Sequence, residues 1–121
     1  MIKTFLSTEV KTVNTTASWH WCRRKRYVDA HKWCVHNAFK NIDIPFPCRV
    51  QLIRYGVKDM DTDNLYASLK SIRDAIADKI IPGLRPGMAD GNPGIDWEYS
   101  QQRCKKLNAG VMVIITPYDE L

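Results

Sequence analysis

The sequence has no long apolar run. Nothing in its 121 residues approaches the roughly 20 consecutive apolar residues of a membrane helix. The segment after Met1, "IKTFLSTEVK", lacks the extended apolar core of a signal peptide. We therefore expect a chain with no membrane partner that is located in the cytoplasm.

The composition also lacks the biases of disordered, collagen-like or coiled-coil proteins. Hydrophobic residues make up 45% of the chain and charged residues 26%, which are ordinary values for a folded protein. A chain of this length suits one hydrophobic core. The sequence thus predicts a single domain over residues 1–121, without repeats or linkers.

The cysteines form no CxxC pair, which argues against a zinc ribbon. They are Cys22, Cys34, Cys48 and Cys104. The neighbouring histidines, His20, His31 and His36, match no standard zinc-finger spacing. Reduced core cysteines are the favoured interpretation, and a structural zinc is the weaker alternative.

Positive charge is present and concentrated in two clusters within a formal net charge of +5. "CRRKRY" places four cations beside aromatic residues, and "QQRCKK" holds a second group. Cations interleaved with aromatics suit phosphate contacts and base stacking. A solvated helix start with its aromatics in the core is an equal alternative. The cations concerned are Arg23, Arg24, Lys25, Arg26, Arg103, Lys105 and Lys106.

Hydrophobic periodicity predicts four strands and two helices in the order β-α-β-α-β-β, an α+β domain. In chain order we expect first a strand over 2–14 and a helix capped by Ser18 that runs from Trp19 or Arg23 to Lys40. The strand "CRVQLIRYG" follows, and then a second helix with an apolar stripe formed by Leu65, Leu69, Ile72, Ile76 and Ile80. The last two strands are "IDWEYSQQR" and "AGVMVIITP". The Pro- and Gly-rich stretch between the second helix and the third strand is a loop. The apolar run Val111–Ile115 predicts a strand buried on both faces.

Three aspartates alternate in the stretch "KDMDTDNLYASLK". Asp59, Asp61 and Asp63 fit positions 1, 3 and 5 of a calcium-binding loop. Such a loop then needs Gly at position 6 and Glu at position 12, where this chain has Asn64 and Lys70. The calcium loop is therefore excluded.

Two interpretations of these carboxylates stay open. In the first, Asp63 or Thr62 caps a helix whose dipole favours nearby aspartates. In the second, Asp61 and Asp63 share one face of an extended segment and hold a divalent cation, since two carboxylates there would otherwise repel. Helical phase puts Lys70 and Asp74 on the side of Asp63, where they form either part of that site or a surface ion pair.

The segment "DTDNLYASLKSIRDAI" resembles the DxDN…K…DAL signature of RusA-type Holliday junction resolvases, which are common in phages and prophages. The loop and strand "ADGNPGIDWEYSQQR" are similar to the acidic loop and following strand of that family. The resemblance covers most of the chain. It implies a RusA-like fold, with two helices packed on a mixed sheet.

Site residues are also implied by the resemblance. The family binds Mg²⁺ and acts on DNA through three aspartates and a lysine. Asp61 and Asp63 match the first two aspartates, and Asp90 is the expected third, with Asp96 as the alternative.

The lysine departs from the family spacing. Its usual position holds Ala67, and Lys70, which precedes "DAI", is expected to take its place. The implied function is Mg²⁺-dependent, structure-selective DNA hydrolysis that resolves four-way junctions in recombination and repair, carried out by a homodimer. Mn²⁺ should substitute and no organic cofactor is expected. Arg85 in the loop would join the DNA-binding cations, and the site of action would be the bacterial host cytoplasm.

Ala67 favours a second possibility, a module of the same fold that binds branched or single-stranded DNA without cutting it. A third possibility is a nuclease that prefers flaps or forks.

Overall fold

The helices and strands are described by a computed structural model that covers residues 1–85 and 87–121. The strands are Ile2–Leu6 (β1), Cys48–Gly56 (β2), Ile95–Arg103 (β3) and Gly110–Pro117 (β4). The α-helices are Val13–Ala17 (α1), Trp21–Ala38 (α2), Thr62–Ser68 (α3) and Lys70–Ile80 (α4). Short 3₁₀ turns occupy Ala89–Gly91, Lys106–Asn108 and Tyr118–Glu120. Across the described ranges, no helix is both long and apolar enough to span a bilayer.

The strands form one mixed sheet in the order β1-β4-β2-β3. β2 and β3 are parallel, whereas β4 is antiparallel to both β1 and β2. A parallel pair needs a crossover connection, and here α3 and α4 provide it. A small α+β domain with a mixed four-stranded sheet confirms the predicted fold class, although the described residues form four α-helices where two were expected.

The hydrophobic core lies between one face of the sheet and the helices. Alternate residues of β2 and β4 are buried there, as expected for strands with one covered face. The predicted apolar stripe of the second helical segment is confirmed, because each of its members is buried. These are Leu65, Leu69, Ile72, Ile76 and Ile80.

Two predictions near the N-terminus were wrong. The first strand ends at Leu6 instead of continuing to residue 14. Thr12 accepts a backbone hydrogen bond through its side chain and starts α1, and this local cap outweighs the strand propensity of the Thr- and Val-rich segment. Ser18 ends α1, and His20 caps α2 by accepting the Cys22 backbone N–H at 3.2 Å.

The second helix was predicted as continuous, and this was also wrong. Ser68 Oγ donates to the Leu65 carbonyl at 2.9 Å, a back-bond that bends helices. The helix breaks at Leu69, where φ is −91° and ψ is 0°. Simple helical phase therefore does not extend from Asp63 to Lys70, and their placement has to be taken from contacts.

The run Val111–Ile115 is not buried on both faces, as its sequence suggested. Val111, Val113 and Ile115 are fully buried, whereas Met112 and Ile114 are only half-buried. The helices cover one face of the sheet, so alternate side chains of every strand point to the other side. We call this second side the open face.

Candidate metal and nucleic-acid site

Asp61 is the N-cap of α3. Its carboxylate accepts the Asn64 backbone N–H at 2.9 Å and the Asn64 side-chain amide at 3.2 Å. Asp63 lies exposed in the first helical turn, where the helix dipole favours a negative charge. The capping interpretation thus holds for Asp61, in place of Thr62 or Asp63, and it leaves Asp63 without a capping role.

Asp59 has a different environment from the other two aspartates. Its carboxylate pairs with Arg103 at 3.3 Å, and half of its side chain is exposed. The neighbouring backbone of Met60 is fixed to β3, because the Gln101 side chain bonds to both its N–H and its carbonyl. These contacts place the segment that leads into α3 against the end of β3.

Four charged side chains meet on the first turns of α4. Lys70 Nζ lies 3.3 Å from Asp74 and 3.9 Å from Asp90, and Arg73 binds Asp90 at 2.9 Å. We call Lys70, Arg73, Asp74 and Asp90 the α4 cluster. It brings together two of the predicted site residues, Lys70 and Asp90, from a helix and from the loop that follows it.

Aromatic contacts connect the α4 cluster to the face of α3 that carries Asp63. Arg73 donates to the Tyr99 hydroxyl at 2.7 Å, and the Tyr99 ring packs on Tyr66 with centroids 4.5 Å apart. Tyr66 follows Asp63 by three residues, so both share one side of α3. These contacts link the helix that carries Asp63 to the loop that carries Asp90.

The two carboxylates of the α4 cluster differ from surface aspartates. Burial raises the pKa of Asp74, the Lys70 ammonium lowers it, and the adjacent Asp90 raises it again. Asp90 keeps only 15% of its side-chain exposure. Lys70 and Arg73 balance the charge of the two carboxylates when both are ionised.

The donor atoms fit Mg²⁺ in one of its usual forms. Mg²⁺ takes oxygen ligands and is commonly held by one or two carboxylates together with water and phosphate oxygens. In the part of the chain that the structure describes, no three Asp, Glu, His or Cys side chains gather into a metal-binding group. The available carboxylates thus fit an open site completed by phosphate, and the grouping of Asp61, Asp63 and Asp90 stays a prediction.

Asp96, the alternative third aspartate, lies elsewhere. It is on β3 and binds Arg49 at 2.9 Å, and the two residues are cross-strand neighbours on the open face. Asp90 instead contacts α4, which packs on the covered face. The two candidates are therefore on opposite sides of the sheet.

The predicted basic cluster on α2 is exposed, but its members are not equivalent. The Arg23 guanidinium lies over the Trp19 ring, 3.9 Å from its centroid, which is a cation–π contact. Lys25 pairs with Asp29 at 2.8 Å, and this hydrogen bond raises the pKa of Lys25. Arg24 and Arg26 are exposed.

A cavity of about 370 Å³ lies between the α1–α2 side and the α3–α4 side of the molecule. Arg24 of α2 and Lys70 of α4 both line it. Its other charged lining residues are Lys11, Lys32, Asp74 and Asp78. The cavity therefore joins the basic helix to the α4 cluster.

The remaining predicted cations are on the surface. Arg103 pairs with Asp59, and Lys105 and Lys106 are exposed in the connection between β3 and β4. Arg85 is exposed in the loop after α4.

One histidine of the weaker zinc interpretation, His31, already has a hydrogen-bond partner at each ring nitrogen. His31 is buried, with Nδ1 at 2.5 Å from the Ser71 hydroxyl and Nε2 at 2.9 Å from the Glu9 carbonyl. Burial lowers the pKa of His31. The neutral ring donates to Glu9 and accepts from Ser71, so His31 ties together three parts of the fold.

Sequence reasoning missed Arg73, Tyr99 and Tyr66. Arg73 follows Lys70 by three residues, and this spacing was a readable signal that both lie on one helical face. The contact of Arg73 with Asp90 depends on the return path of the loop, which carries no periodic pattern.

No protein-family model, curated protein or solved structure matches the chain. The RusA resemblance therefore depends on the motif residues alone.

Proposed function

We propose that the chain is a Mg²⁺-dependent, structure-selective endodeoxyribonuclease of the RusA type that resolves four-way DNA junctions as a homodimer. The observation that carries the proposal is the contact of the motif lysine with the loop aspartate, Lys70 to Asp90 at 3.9 Å. These residues are 20 positions apart in the chain. The resemblance, which depends on the motif residues alone, assigns both of them to one site.

The carboxylates have the first role in the proposed mechanism. Asp61, Asp63 and Asp90 would hold Mg²⁺, with Mn²⁺ able to replace it. Bound Mg²⁺ would supply Lewis-acid polarisation of the scissile phosphate and activation of water. Arg73 holds one oxygen of Asp90, and this contact fixes the direction of that carboxylate.

Lys70 has the second role. Its side chain is 59% exposed and its contacts with Asp74 and Asp90 are 3.3 and 3.9 Å long, so it can turn to a phosphate at little energetic cost. An ammonium there would stabilise negative charge that develops on the phosphate or on the leaving oxygen.

DNA would approach along the cavity that connects Arg24 with Lys70. Cations on both walls suit a phosphodiester backbone, and such contacts position DNA without reading its sequence. A four-way junction has paired symmetric strands, so a two-fold dimer would present one site to each. We expect this activity in the cytoplasm of a bacterial host.

A second candidate function is binding of branched or single-stranded DNA without cleavage. The observation that favours it is Ala67, which occupies the usual lysine position and lines the same cavity. If Lys70 does not replace that lysine, the chain would retain its DNA surface and lack catalysis.

A substrate panel tests the proposal. The purified protein is incubated with Mg²⁺ and equal amounts of a four-way junction, a fork, a flap and a linear duplex. We expect symmetric paired nicks in the junction and slower cleavage of the others. Faster cleavage of forks or flaps would point to a different structure-selective nuclease, and binding without cleavage in either Mg²⁺ or Mn²⁺ would support the binding module.

A further inference from the structure

The peptide bond between Met60 and Asp61 is held by one side chain of β3. Gln101 accepts the Met60 N–H at 2.9 Å through Oε1, and its Nε2 donates to the Met60 carbonyl at 2.6 Å. That carbonyl and the Asp61 nitrogen belong to one planar peptide unit. A side-chain amide that satisfies both backbone groups of one residue takes the place of a neighbouring strand. Gln101 therefore determines the direction in which the chain enters α3.

Arg54 holds the same segment at its other end. It is the cross-strand neighbour of Gln101 on β2, and its guanidinium lies 3.5 Å from Gln101 Oε1. The same guanidinium donates to the Lys58 carbonyl at 2.8 Å. It occupies the space above Gly56, where any Cβ would collide with it. We call Arg54 and Gln101 the sheet clamp, because together they hold residues 58–60 to the end of the sheet.

The middle of this segment is held less firmly. Arg103 pairs with Asp59 at 3.3 Å, but the two side chains are 72% and 49% exposed, and ion pairs at such positions stabilise little. Met60 is instead buried, and its sulfur accepts the Ser68 hydroxyl at 3.3 Å. Loss of a partner is costly for a part-buried backbone group. The two bonds from Gln101 are therefore the main fixed point of the segment.

The first two aspartates of the proposed metal site follow directly in the chain. Asp61 is the next residue, and Asp63 lies in the first turn of the helix that Asp61 caps. The Asp61 carboxylate bonds within its own helix, to Asn64, so its position relative to the sheet depends on the backbone that enters α3. Mg²⁺ demands a near-ideal octahedral arrangement of its oxygen ligands. A small shift of that backbone would therefore weaken metal binding.

We propose that the sheet clamp positions Asp61 and Asp63 for a divalent cation, and that Gln101 is its main positioning residue, acting through the Met60 peptide. The cation is that of the proposed function, on which the inference rests. Removal of a partner that orients metal ligands typically weakens metal affinity by about 10–100-fold. Loss of the Gln101 amide should have an effect of this size, although both carboxylates stay in the chain.

Metal binding without DNA tests the proposal. Titration of the full chain with Mn²⁺, followed by electron paramagnetic resonance, gives the dissociation constant. Gln101→Met keeps the length of the side chain and removes both hydrogen bonds, so it should raise this constant by about 10–100-fold. Gln102→Met is the matched control, because Gln102 is exposed and, by strand alternation, points to the open face. Its constant should equal that of the wild type.

A second variant releases the other end of the segment. Arg54→Met removes the contact with the Lys58 carbonyl and leaves the Gln101 amide in the chain, so it should raise the Mn²⁺ dissociation constant in the same direction. Circular dichroism shows which variants fold. An unchanged constant in folded Gln101→Met, or in Arg54→Met where Gln101→Met does not fold, would overturn the proposal. A wild type that binds no Mn²⁺ would overturn it as well.

The metal dependence of cleavage separates positioning from general stability. Gln101→Met should need more Mn²⁺ for half-maximal cleavage of a four-way junction and should reach the wild-type rate at saturating Mn²⁺. A lower maximal rate at an unchanged half-saturating concentration would show a purely structural role and overturn the proposal. A wild type that cuts, with equal Mn²⁺ constants in all variants, would keep the nuclease and reject the sheet clamp. An intact junction, with a raised constant in Gln101→Met, would reject the nuclease and keep the clamp.

Discussion

Two neighbouring cations of the α4 cluster differ in what they stabilise. Arg73 is 25% exposed and holds both Asp90 and Tyr99, whereas Lys70 is 59% exposed and makes only long contacts. A partly buried cation that bridges a helix, a loop and a strand stabilises the fold. An exposed cation beside the same carboxylate is free to act on a ligand.

Arg73→Met should therefore destabilise the protein. We expect a loss of about 1–3 kcal/mol in the free energy of unfolding, below the ~3–5 kcal/mol of a fully buried pair, because Arg73 is 25% exposed. Urea denaturation measures this loss. Lys70→Met is the control, and it should cost less than about 1 kcal/mol while abolishing cleavage. Equal losses for the two variants would contradict this division of roles.

His31 should make stability dependent on pH. Burial lowers its pKa in the folded state below the value of about 6.5 in the unfolded chain. The unfolded chain therefore binds more protons in acid, so stability is fully present above about pH 6.5 and is lost as the pH falls below it, by at most ~1.4 kcal/mol per pH unit.

Thermal unfolding between pH 7.5 and pH 5 measures this dependence. His31→Gln removes the titrating group and should flatten the curve relative to the wild type. Parallel curves for the two proteins would show that His31 does not carry the effect.

At the scale of elements, the N-cap residue of α3 has two roles, one in helix stability and one in the proposed chemistry. Asp61 caps the helix, and it is also the first aspartate of the DxDN motif. Asn is as good an N-cap as Asp, whereas Ala is a poor one. Substitution can therefore separate the two roles.

Asp61→Ala should lower the free energy of unfolding by about 1 kcal/mol, and Asp61→Asn should change it by less than about 0.5 kcal/mol. Both should abolish Mg²⁺-dependent cleavage, because both remove a carboxylate ligand. Denaturation and junction cleavage, measured on the same samples, check this pattern. Cleavage by Asp61→Asn at the wild-type rate would mean that Asp61 acts only as a helix cap.

The strands and the buried stripe could be predicted because each depends on local periodicity. β2 follows the alternation of its own residues and β4 its unbroken apolar run, and the stripe from Leu65 to Ile80 repeats at helical spacing. The break at Leu69 and the helix after Thr12 could not, since each depends on a side-chain hydrogen bond that competes with propensity.

The candidate site was only partly accessible from the sequence for a similar reason. Lys70 and Asp74 share a helix, so helical spacing predicts their ion pair. Asp90 reaches them through a loop rich in Gly and Pro, whose path has no periodic signature. The Arg73 contact with Asp90 and Tyr99 joins three segments and is a property of the fold alone.

At the scale of the whole molecule, individual cations should contribute separately to the salt dependence of DNA affinity. Arg24 lines the cavity and has no acidic partner among the described residues, whereas Lys25 pairs with Asp29. Arg24→Ala should reduce the slope of log affinity against log salt by about 0.9 for each phosphate that the protein no longer neutralises. Lys25→Ala should change it less, because its charge is already paired. Fluorescence anisotropy with a labelled junction at several salt concentrations measures both slopes.

An unchanged slope for Arg24→Ala, with normal folding, would place the DNA on another surface. Arg103, Lys105 and Lys106, which are exposed, would then be the next cations to substitute.

The central claim is that carboxylates beside α3 and α4 cut junction DNA with the help of Mg²⁺. The most direct measurement compares the wild type with Asp63→Asn on one synthetic four-way junction, with cleavage followed on a denaturing gel and binding followed by anisotropy. The wild type should make paired symmetric nicks only when Mg²⁺ or Mn²⁺ is added. Asp63→Asn should bind the junction as tightly and make no nicks. A wild type that binds tightly but leaves the junction intact with both metals, or an Asp63→Asn variant that cuts at the wild-type rate, would contradict the claim.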